Sequence, residues 1–332
     1  MSFLNVSGIA KKGEGGFLMS NISFSQRKLE KLAIAGETGA GKSTLLKIVA
    51  GLVQPESGEV IFEHERVRGP AEQLVPGHPA IAYLSQHFEL QKFLRVEQVL
   101  NYSNKFPAKD AQKLFEVCQI THLLGRRTDQ LSGGEKQRIA ICRLLISSPR
   151  LLLLDEPYSH LDPDHKSVLK AVVRDIGRKL KITCTIVSHD PMDTLSWAEK
   201  MIVLKDGPLV QEGKPLVIYK EPLNAYIGGL FGKYNLIEPS MFRTFSAIPA
   251  IRRSLAKAGQ KNIFIRPEQF RLVRESERAL KGKVKEIIFY GSHRELQIAV
   301  AKYTITVRSD KEGIEPGAVV YVTLGRGPLS FV

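Results

Sequence analysis

One glycine-rich loop constrains the fold of this chain more than any other feature. Residues 31–35 read KLAIA, an apolar run that predicts a buried strand, and residues 43–50 carry apolar side chains at helical spacing. Between them, residues 36–43 read GETGAGKS and satisfy G-x-x-x-x-G-K-[S/T] in full. Glycines let the backbone curl so that its N–H groups point at phosphate oxygens, and the following helix adds its positive end. We therefore predict a phosphate-binding loop; the alternative is a glycine-rich structural turn with a solvated lysine.

The residue types in this loop fit a nucleoside triphosphate and its metal ion. Lys42 would reach the β- and γ-phosphates, and the Ser43 hydroxyl would be a ligand of magnesium. The backbone would supply the other contacts. The remaining predicted nucleotide-binding residues are Gly36, Glu37, Thr38, Gly39, Ala40, Gly41 and Thr44.

A second constraint comes from the segment LLLLDEP, residues 151–157. Four leucines predict a fully buried strand, and two carboxylates at its end are costly to bury without a partner. A metal ion would explain them: Asp155 would hold magnesium, directly or through water, and Glu156 would act as general base on the attacking water. The alternative is a strand that simply ends at a solvated turn.

The order of patterns along the chain predicts an α/β fold in two domains. Helical spacing dominates residues 96–148, a further helix is expected at 163–180, and a β-branched run at 182–187 predicts another buried strand. Strands that alternate with helices indicate a mostly parallel sheet covered on both faces. After residue 234 short strands separated by turns predict a small β-barrel-like domain. We place the domains at 1–234, with a helical insertion at about 88–150, and 235–332.

Composition excludes several classes of protein. The formal net charge is +14, but no block of five like charges occurs, so we expect no nucleic-acid partner. The 3 cysteines form no metal-binding or CxxC spacing, and small buried side chains are the simplest interpretation. The N-terminal segment lacks the apolar core of a signal peptide, and the apolar runs are far shorter than the roughly 20 residues that span a bilayer. A membrane role is therefore expected to come through a partner.

Four further segments make the sequence resemble the ABC ATPases, which are P-loop NTPases. Residues 131–138 read LSGGEKQR, similar to the family signature, and stand shortly before the acidic strand. Gln86 fits the Q-loop, residues 160–162 (HLD) fit the D-loop, and His189 fits the switch histidine. The resemblance covers residues 3 to about 230, with the motifs in the family's order.

The resemblance implies a division of the site between two subunits. Ser132, with the N–H groups of Gly133 and Gly134 at a helix start, would form a second anion site that closes over ATP bound to the other subunit. The expected partner is a second copy of the chain or a second ABC subunit. The resemblance also implies that Gln86 contacts magnesium and faces a permease, and that His189 bonds the γ-phosphate. Asp162 of the D-loop completes the expected catalytic set.

The chain departs from the family pattern at three places. The aromatic residue that usually stacks on adenine falls in KKGEGGF, where Lys12 or a glycine occupies the expected position and Phe17 is the nearest aromatic. The usual Gly-Glu before the loop strand is Leu29-Glu30, and the fifth signature residue is Glu135 in place of the common Gln. None of these changes removes a group expected to contact phosphate.

The C-terminal part resembles the TOBE/OB-like accessory domain of importer ATPases for polyamines, iron, sulfate, molybdate or sugars, with IRPEQ at residues 265–269 as its best match. The resemblance implies an ATP- and Mg²⁺-dependent motor that drives a transmembrane permease, in the direction of import, with a solute-binding protein as a further component. It would be cytoplasmic and peripheral on the inner face of the cell membrane. The alternative function is an ABC ATPase acting on nucleic acid or ribosomes, since the chain is basic.

Overall fold

The computed structural model describes residues 3–13, 18–87, 89–101, 104, 106–325 and 327–332. The chain divides into two compact units, Met1–Pro215 and Leu216–Val332. This division falls at the start of a helix and before residue 235, where the sequence pattern changes. Among the described residues no helix combines the length and the apolar character that crossing a bilayer requires.

Alternating strands and helices make up the first unit, as its sequence pattern predicts. Its strands are β1 (Leu4–Lys12), β2 (Leu18–Gln26), β3 (Leu32–Ala35), β4 (Ser57–Phe62), β5 (Glu65–Arg66), β6 (Ile81–Leu84), β7 (Leu151–Asp155), β8 (Thr183–Val187), β9 (Lys200–Leu204) and β10 (Leu209–Gly213). Its helices are α1 (Lys42–Val49), α2 (Val96–Asn101), α3 (Ala108–Val117), α4 (Gly133–Leu145), α5 (Pro163–Lys179) and α6 (Pro191–Thr194).

The central sheet of this unit has the strand order β10-β9-β3-β8-β7-β6. Its pairs are parallel except for β10 with β9, so the predicted mostly parallel sheet is confirmed. Strand β7 shows why the leucine run is there. Leu151 and Leu153 pack into the core that contains α1, whereas Leu152 and Leu154 pack into the core beneath α4 and α5. Each fully buried leucine contributes about 2 kcal/mol to folding through the hydrophobic effect.

Two further layers cover the central sheet. An antiparallel sheet of order β2-β1-β4-β5 shares its core with α1. The helical insertion, α2 to α4, packs with α5 on the opposite side of the central sheet. Cys118 and Cys142 are buried in that second core, and Cys184 is also buried, in agreement with their interpretation as small core side chains.

The second unit is rich in antiparallel strands and has its own core. Its strands are β11 (Asn235–Ile237), β12 (Ile263–Ile265), β13 (Phe270–Val273), β14 (Leu280–Phe289), β15 (Arg294–Val300), β16 (Tyr303–Ser309), β17 (Val319–Leu324) and β18 (Ser330–Phe331). Its helices are α7 (Pro215–Lys220), α8 (Ala225–Leu230), α9 (Phe242–Phe245) and α10 (Pro249–Ala258).

The larger sheet of the second unit has the order β13-β17-β14-β15-β16. It curls so that its two edge strands approach each other: Lys311 Nζ, just after β16, donates a hydrogen bond to the Leu272 carbonyl oxygen of β13 at 3.2 Å. The expected small, barrel-like β domain is therefore present.

Candidate functional site

A cleft of about 590 Å³ lies at the carboxyl ends of the parallel strands of the central sheet. Open α/β sheets bind ligands at this edge, because the loops that follow parallel strands converge there. Residues from four separate stretches of sequence line it, within 38–44, at 86, within 156–166 and within 188–193. The predicted site residues among them are Thr38, Gly39, Gly41, Lys42, Ser43, Thr44, Gln86, Glu156 and His189.

The glycine-rich loop connects β3 to α1 in a conformation that needs glycine. Gly36 has φ +152°, and a Cβ there would lie 2.5 Å from the Leu204 carbonyl oxygen of β9. Gly41, just before α1, has φ +91°. A side chain at the first position would clash with the neighbouring strand, and one at the second would strain the backbone. The glycines therefore allow the loop to curl tightly against the sheet.

Lys42 lies buried inside this loop. Its Nζ donates hydrogen bonds to the carbonyl oxygens of Gly36 and Glu37, each at 2.8 Å. Burial lowers the pKa of Lys42, and the nearby carboxylates Glu156, Asp155 and Glu37 oppose that shift. The ammonium group is thus held at the centre of the loop, with acidic groups at the strand end beside it.

Asp155, at the end of β7, connects the loop to β6. Its Oδ1 accepts a hydrogen bond from Ser43 Oγ at 3.0 Å, and its Oδ2 accepts one from the Tyr83 hydroxyl at 2.8 Å. Burial, together with the negative Asp155, raises the pKa of Tyr83 far above its usual value, so the phenol keeps its proton and remains a donor. The carboxylate, only 2% exposed, is therefore fixed from two sides.

Glu156 and His189 form a second contact across the strand ends. His189 Nδ1 lies 2.9 Å from Glu156 Oε2. Glu156 is buried and has φ +50°, a left-handed conformation that is uncommon for a residue with a side chain. This backbone turn lets the carboxyl group reach the cleft directly after a buried strand.

The signature residues and Asp162 lie outside this cleft. Ser132 is the N-cap of α4, where its Oγ accepts a hydrogen bond from the Glu135 N–H at 3.3 Å, and Gly133 and Gly134 form the first turn. Asp162 is the N-cap of α5 and accepts a hydrogen bond from the His165 N–H at 3.0 Å. None of Ser132, Gly133, Gly134 and Asp162 is among the cleft-lining residues that the structure describes. The structure thus gathers the phosphate-loop residues, Asp155, Glu156, Gln86 and His189, but not the signature or Asp162.

Comparison with known proteins identifies the family. A family model described as "ABC transporter" matches residues 19–159, and one described as "TOBE domain" matches residues 263–331. The glucose import ATP-binding protein GlcV of Saccharolobus solfataricus is 32% identical over 302 residues, which is 86% of this chain and 85% of GlcV. The chain belongs to the ABC transporter ATPases. It is therefore an ATP-binding and ATP-hydrolysing subunit of an ABC transporter.

Other relatives agree with this assignment to the ABC ATPases. The spermidine/putrescine import ATP-binding protein PotA of Clostridioides difficile is 30% identical over 310 residues, 90% of this chain and 88% of PotA. The crystal structure of the ADP conformation of MJ1267, an ATP-binding cassette of an ABC transporter, superposes with a TM-score of 0.58 at 25% identity, covering 69% of this chain and 98% of MJ1267. These matches support the transport function and not the nucleic-acid or ribosome alternative.

The structure accounts for two of the departures from the ABC pattern. Leu29 adopts φ +63°, the kind of conformation for which glycine is normally used, and its N–H donates to Thr183 Oγ1 at 3.0 Å. Glu135 completes a capping box, because its Oε2 accepts a hydrogen bond from the Ser132 N–H at 2.8 Å. Phe17, the nearest aromatic to the expected adenine position, lies outside the described residues.

Sequence reasoning missed three residues of this ABC ATPase. Tyr83 contacts Asp155, His165 contacts Ser132, and Lys166 lines the cleft while pairing with Asp190 and Asp193. Tyr83 stands as a polar side chain in an otherwise apolar strand, which is a usable signal. His165 and Lys166 follow the D-loop on the first turn of α5, where histidine and lysine are common surface residues and give no such signal.

Proposed function

We propose that this ATPase powers the uptake of a small solute through a separate transmembrane permease, as a peripheral subunit on the inner face of the cell membrane. The observation that carries the proposal is the end-to-end match with import subunits: PotA of Clostridium acetobutylicum, also named for spermidine/putrescine import, aligns over 93% of this chain. The TOBE match at residues 263–331 lies within the proposed second domain, 235–332, which follows an ATP-binding domain at 1–234. Polyamines and sugars are therefore the first solutes to test.

The contacts in the cleft support specific roles in hydrolysis. Lys42 and the loop N–H groups of residues 36–44 would hold the β- and γ-phosphates. Glu156, which lines the same cleft, would accept the proton of the attacking water. His189, 2.9 Å from Glu156, would orient that carboxylate and donate to the γ-phosphate. Gln86 lines the same cleft and would report its state to the permease.

The residues at the strand end fit a magnesium ion. Mg²⁺ prefers oxygen ligands and is usually held by one or two carboxylates together with the phosphates of its nucleotide. The Ser43 hydroxyl and the Asp155 carboxylate already meet at 3.0 Å, and Gln86 offers an amide oxygen in the same cleft. Bound there, the ion would neutralise charge on the phosphates. Among the described residues no group of three or more His, Cys, Asp or Glu side chains is arranged to hold a metal ion.

The position of the signature supports a dimer. Ser132, Gly133 and Gly134 present helix N–H groups, but outside the cleft that contains Lys42. Two half-sites separated within one chain would complete each other across the interface of a homodimer, or of a heterodimer with a second ABC subunit. Closure would exclude water and strengthen each contact to phosphate. A solute-binding protein would deliver the solute to the permease, and no nucleic acid is required.

Co-purification tests this function. The chain is co-expressed with candidate multi-span permeases, and any complex that forms is reconstituted in liposomes. We expect ATP hydrolysis to rise when spermidine, putrescine or glucose is supplied with its binding protein, and the solute to accumulate inside only when ATP is present on the ATPase side. A complex that hydrolyses ATP but exports the solute would overturn the direction, and a chain that binds no permease would overturn the proposal.

A further inference from the structure

A hydrogen-bonded chain of three side chains connects the signature to the D-loop within one subunit. Ser132 Oγ lies 3.2 Å from His165 Nε2, and His165 Nδ1 lies 2.5 Å from Asp162 Oδ2. The other carboxylate oxygen of Asp162 accepts the backbone N–H of His165 at 3.0 Å. A hydroxyl, an imidazole and a carboxylate are therefore in series, on the first turns of α4 and α5.

The direction of these hydrogen bonds follows from Asp162. Hydrogen bonds from the backbone N–H and the ring of His165 hold the pKa of the Asp162 carboxyl below its usual value, so it is a carboxylate that can only accept. The ring must therefore donate from Nδ1. Nε2 then faces Ser132 Oγ: a neutral ring accepts the hydroxyl hydrogen there, whereas a protonated ring donates to Oγ and leaves the hydroxyl hydrogen for a phosphate oxygen.

Packing keeps the imidazole ring next to Ser132. A Cβ on Gly134 would lie 2.7 Å from His165 Cδ2 and 2.9 Å from His165 Cβ, so only glycine leaves room for the ring. On the other side, Glu135 closes the capping box with Ser132 and pairs with Arg126 at 3.5 Å. The Ser132 side chain is thus held between α4 and the first turn of α5.

We propose that His165 is a positioning residue that fixes the Ser132 hydroxyl beside the N–H groups of Gly133 and Gly134, ready to contact the phosphate bound by the other subunit. This inference rests on the proposed function of Ser132 in the dimer. A serine held in one rotamer loses less conformational freedom when it binds, and its oxygen is already aligned with the helix N–H groups. His165 itself does not contact the nucleotide; it acts through Ser132.

The test compares two substitutions of His165, each of which keeps one of its two side-chain contacts and removes the other. In the Glu156→Gln background, dimerisation driven by ATP is followed by sedimentation velocity. His165→Gln places an amide near the former Nε2 and keeps the contact with Ser132, whereas His165→Asn keeps the contact with Asp162 and loses Ser132. We expect His165→Asn to raise the ATP concentration for half-maximal dimerisation by about three- to ten-fold, the scale of one hydrogen bond, and His165→Gln to change it by less than about two-fold.

A double mutant separates positioning from a merely structural role. Ser132→Ala should weaken dimerisation, and His165→Asn added to it should cause no further loss, because the group being positioned is gone. His122→Gln, at an exposed histidine of the helical insertion, is the control and should match the parent. Melting temperatures of all variants show whether they are folded.

The outcomes distinguish a failure of the role of His165 from a failure of the proposed contribution of Ser132. If Ser132→Ala weakens dimerisation while His165→Asn has no effect, or if the two effects add in the double mutant, the role of His165 is overturned and the proposed function stands. If Ser132→Ala itself leaves the ATP dependence unchanged, both the proposed contribution of Ser132 and the role of His165 fail. If His165→Gln loses as much as His165→Asn, the contact with Ser132 is not what the histidine supplies.

Discussion

The nucleotide cleft and the signature region differ in what their side chains can do alone. The cleft combines a buried cation, Lys42, with two carboxylates, Asp155 and Glu156, and these groups contact residues from three strand ends. The signature region offers backbone N–H groups and one hydroxyl, Ser132, held by His165. The first has the groups for phosphate binding and proton transfer, whereas the second has groups that only bind an anion.

This difference explains why hydrolysis would depend on two subunits. A cleft that holds the proposed base, cation and metal ligands would need a cap that excludes water and contacts the far side of the γ-phosphate. In the proposed dimer the signature of the other subunit would supply this cap. Changes in the cleft should therefore abolish chemistry, and changes around the signature should act on closure.

The largest expected effect is on Glu156. Glu156→Gln should keep ATP binding and lower turnover by roughly 10²- to 10⁴-fold, the scale of a positioned general base. A single-turnover assay with radiolabelled ATP measures it, and ATP should then trap a dimer. Glu59→Gln, at an exposed glutamate of β4, is the control. Near-normal turnover in Glu156→Gln would remove this residue from the mechanism.

The second-largest effect is expected on the affinity for ATP. Lys42→Ala should weaken ATP binding by about 10- to 150-fold, because a hydrogen bond to a charged group contributes about 1.5–3 kcal/mol and Lys42 is the one cation within residues 36–43. Isothermal titration calorimetry gives the dissociation constant. Lys28→Ala, on the exposed turn before β3, should bind normally. Unchanged affinity together with unchanged turnover would show that Lys42 is outside the site.

A smaller effect is expected from the hydrogen bond that holds Asp155, the proposed magnesium ligand. Tyr83→Phe removes the hydrogen bond to Asp155 Oδ2 but keeps the ring. We expect the Mg²⁺ concentration for half-maximal hydrolysis to rise about two- to ten-fold, the scale of one neutral hydrogen bond, with the KM for ATP at saturating Mg²⁺ unchanged. Direct binding of Mn²⁺ followed by electron paramagnetic resonance gives a second readout. A change in the ATP KM alone would contradict the assignment.

The smallest loss of ATPase activity is expected in a heterodimer that carries one substitution in each subunit. Ser132→Arg and Lys42→Ala should each inactivate a homodimer, but combined in trans they fall in the same composite site and leave the other intact. Two independent sites should then retain roughly half of the wild-type activity. A purified heterodimer as inactive as both parents would contradict either the trans geometry or the independence of the sites.

Much of the fold around the nucleotide cleft could be predicted, because the residues that determine its strands, helices and glycine-rich loop are close together in the sequence. The strand before the loop was expected at residues 31–35 and is Leu32–Ala35, and the helix expected at 163–180 is Pro163–Lys179. Apolar runs, glycines and caps act within a few residues, so pattern alone locates them. The predicted roles of the site residues themselves stay predictions until the variants are measured.

What sequence could not supply is the set of contacts that depends on strand order and helix packing. Tyr83 reaches Asp155 only because β6 pairs in parallel with β7, with Tyr83 opposite Leu153. His165 reaches Ser132 only because the first turns of α4 and α5 lie together. Residues 83 and 155, or 132 and 165, are far apart along the chain, and no local preference brings them together.

The left-handed backbone of Glu156 has a consequence for how such a chain would drift during evolution. A residue with a side chain at φ +50° costs on the order of 1 kcal/mol relative to glycine, so Glu156 lowers the folding stability at this position. A lineage that no longer needed turnover would gain stability by substituting glycine or asparagine here. If Glu156 is the proposed base, the loss of glutamate at this position in a descendant sequence would therefore indicate the loss of ATP turnover.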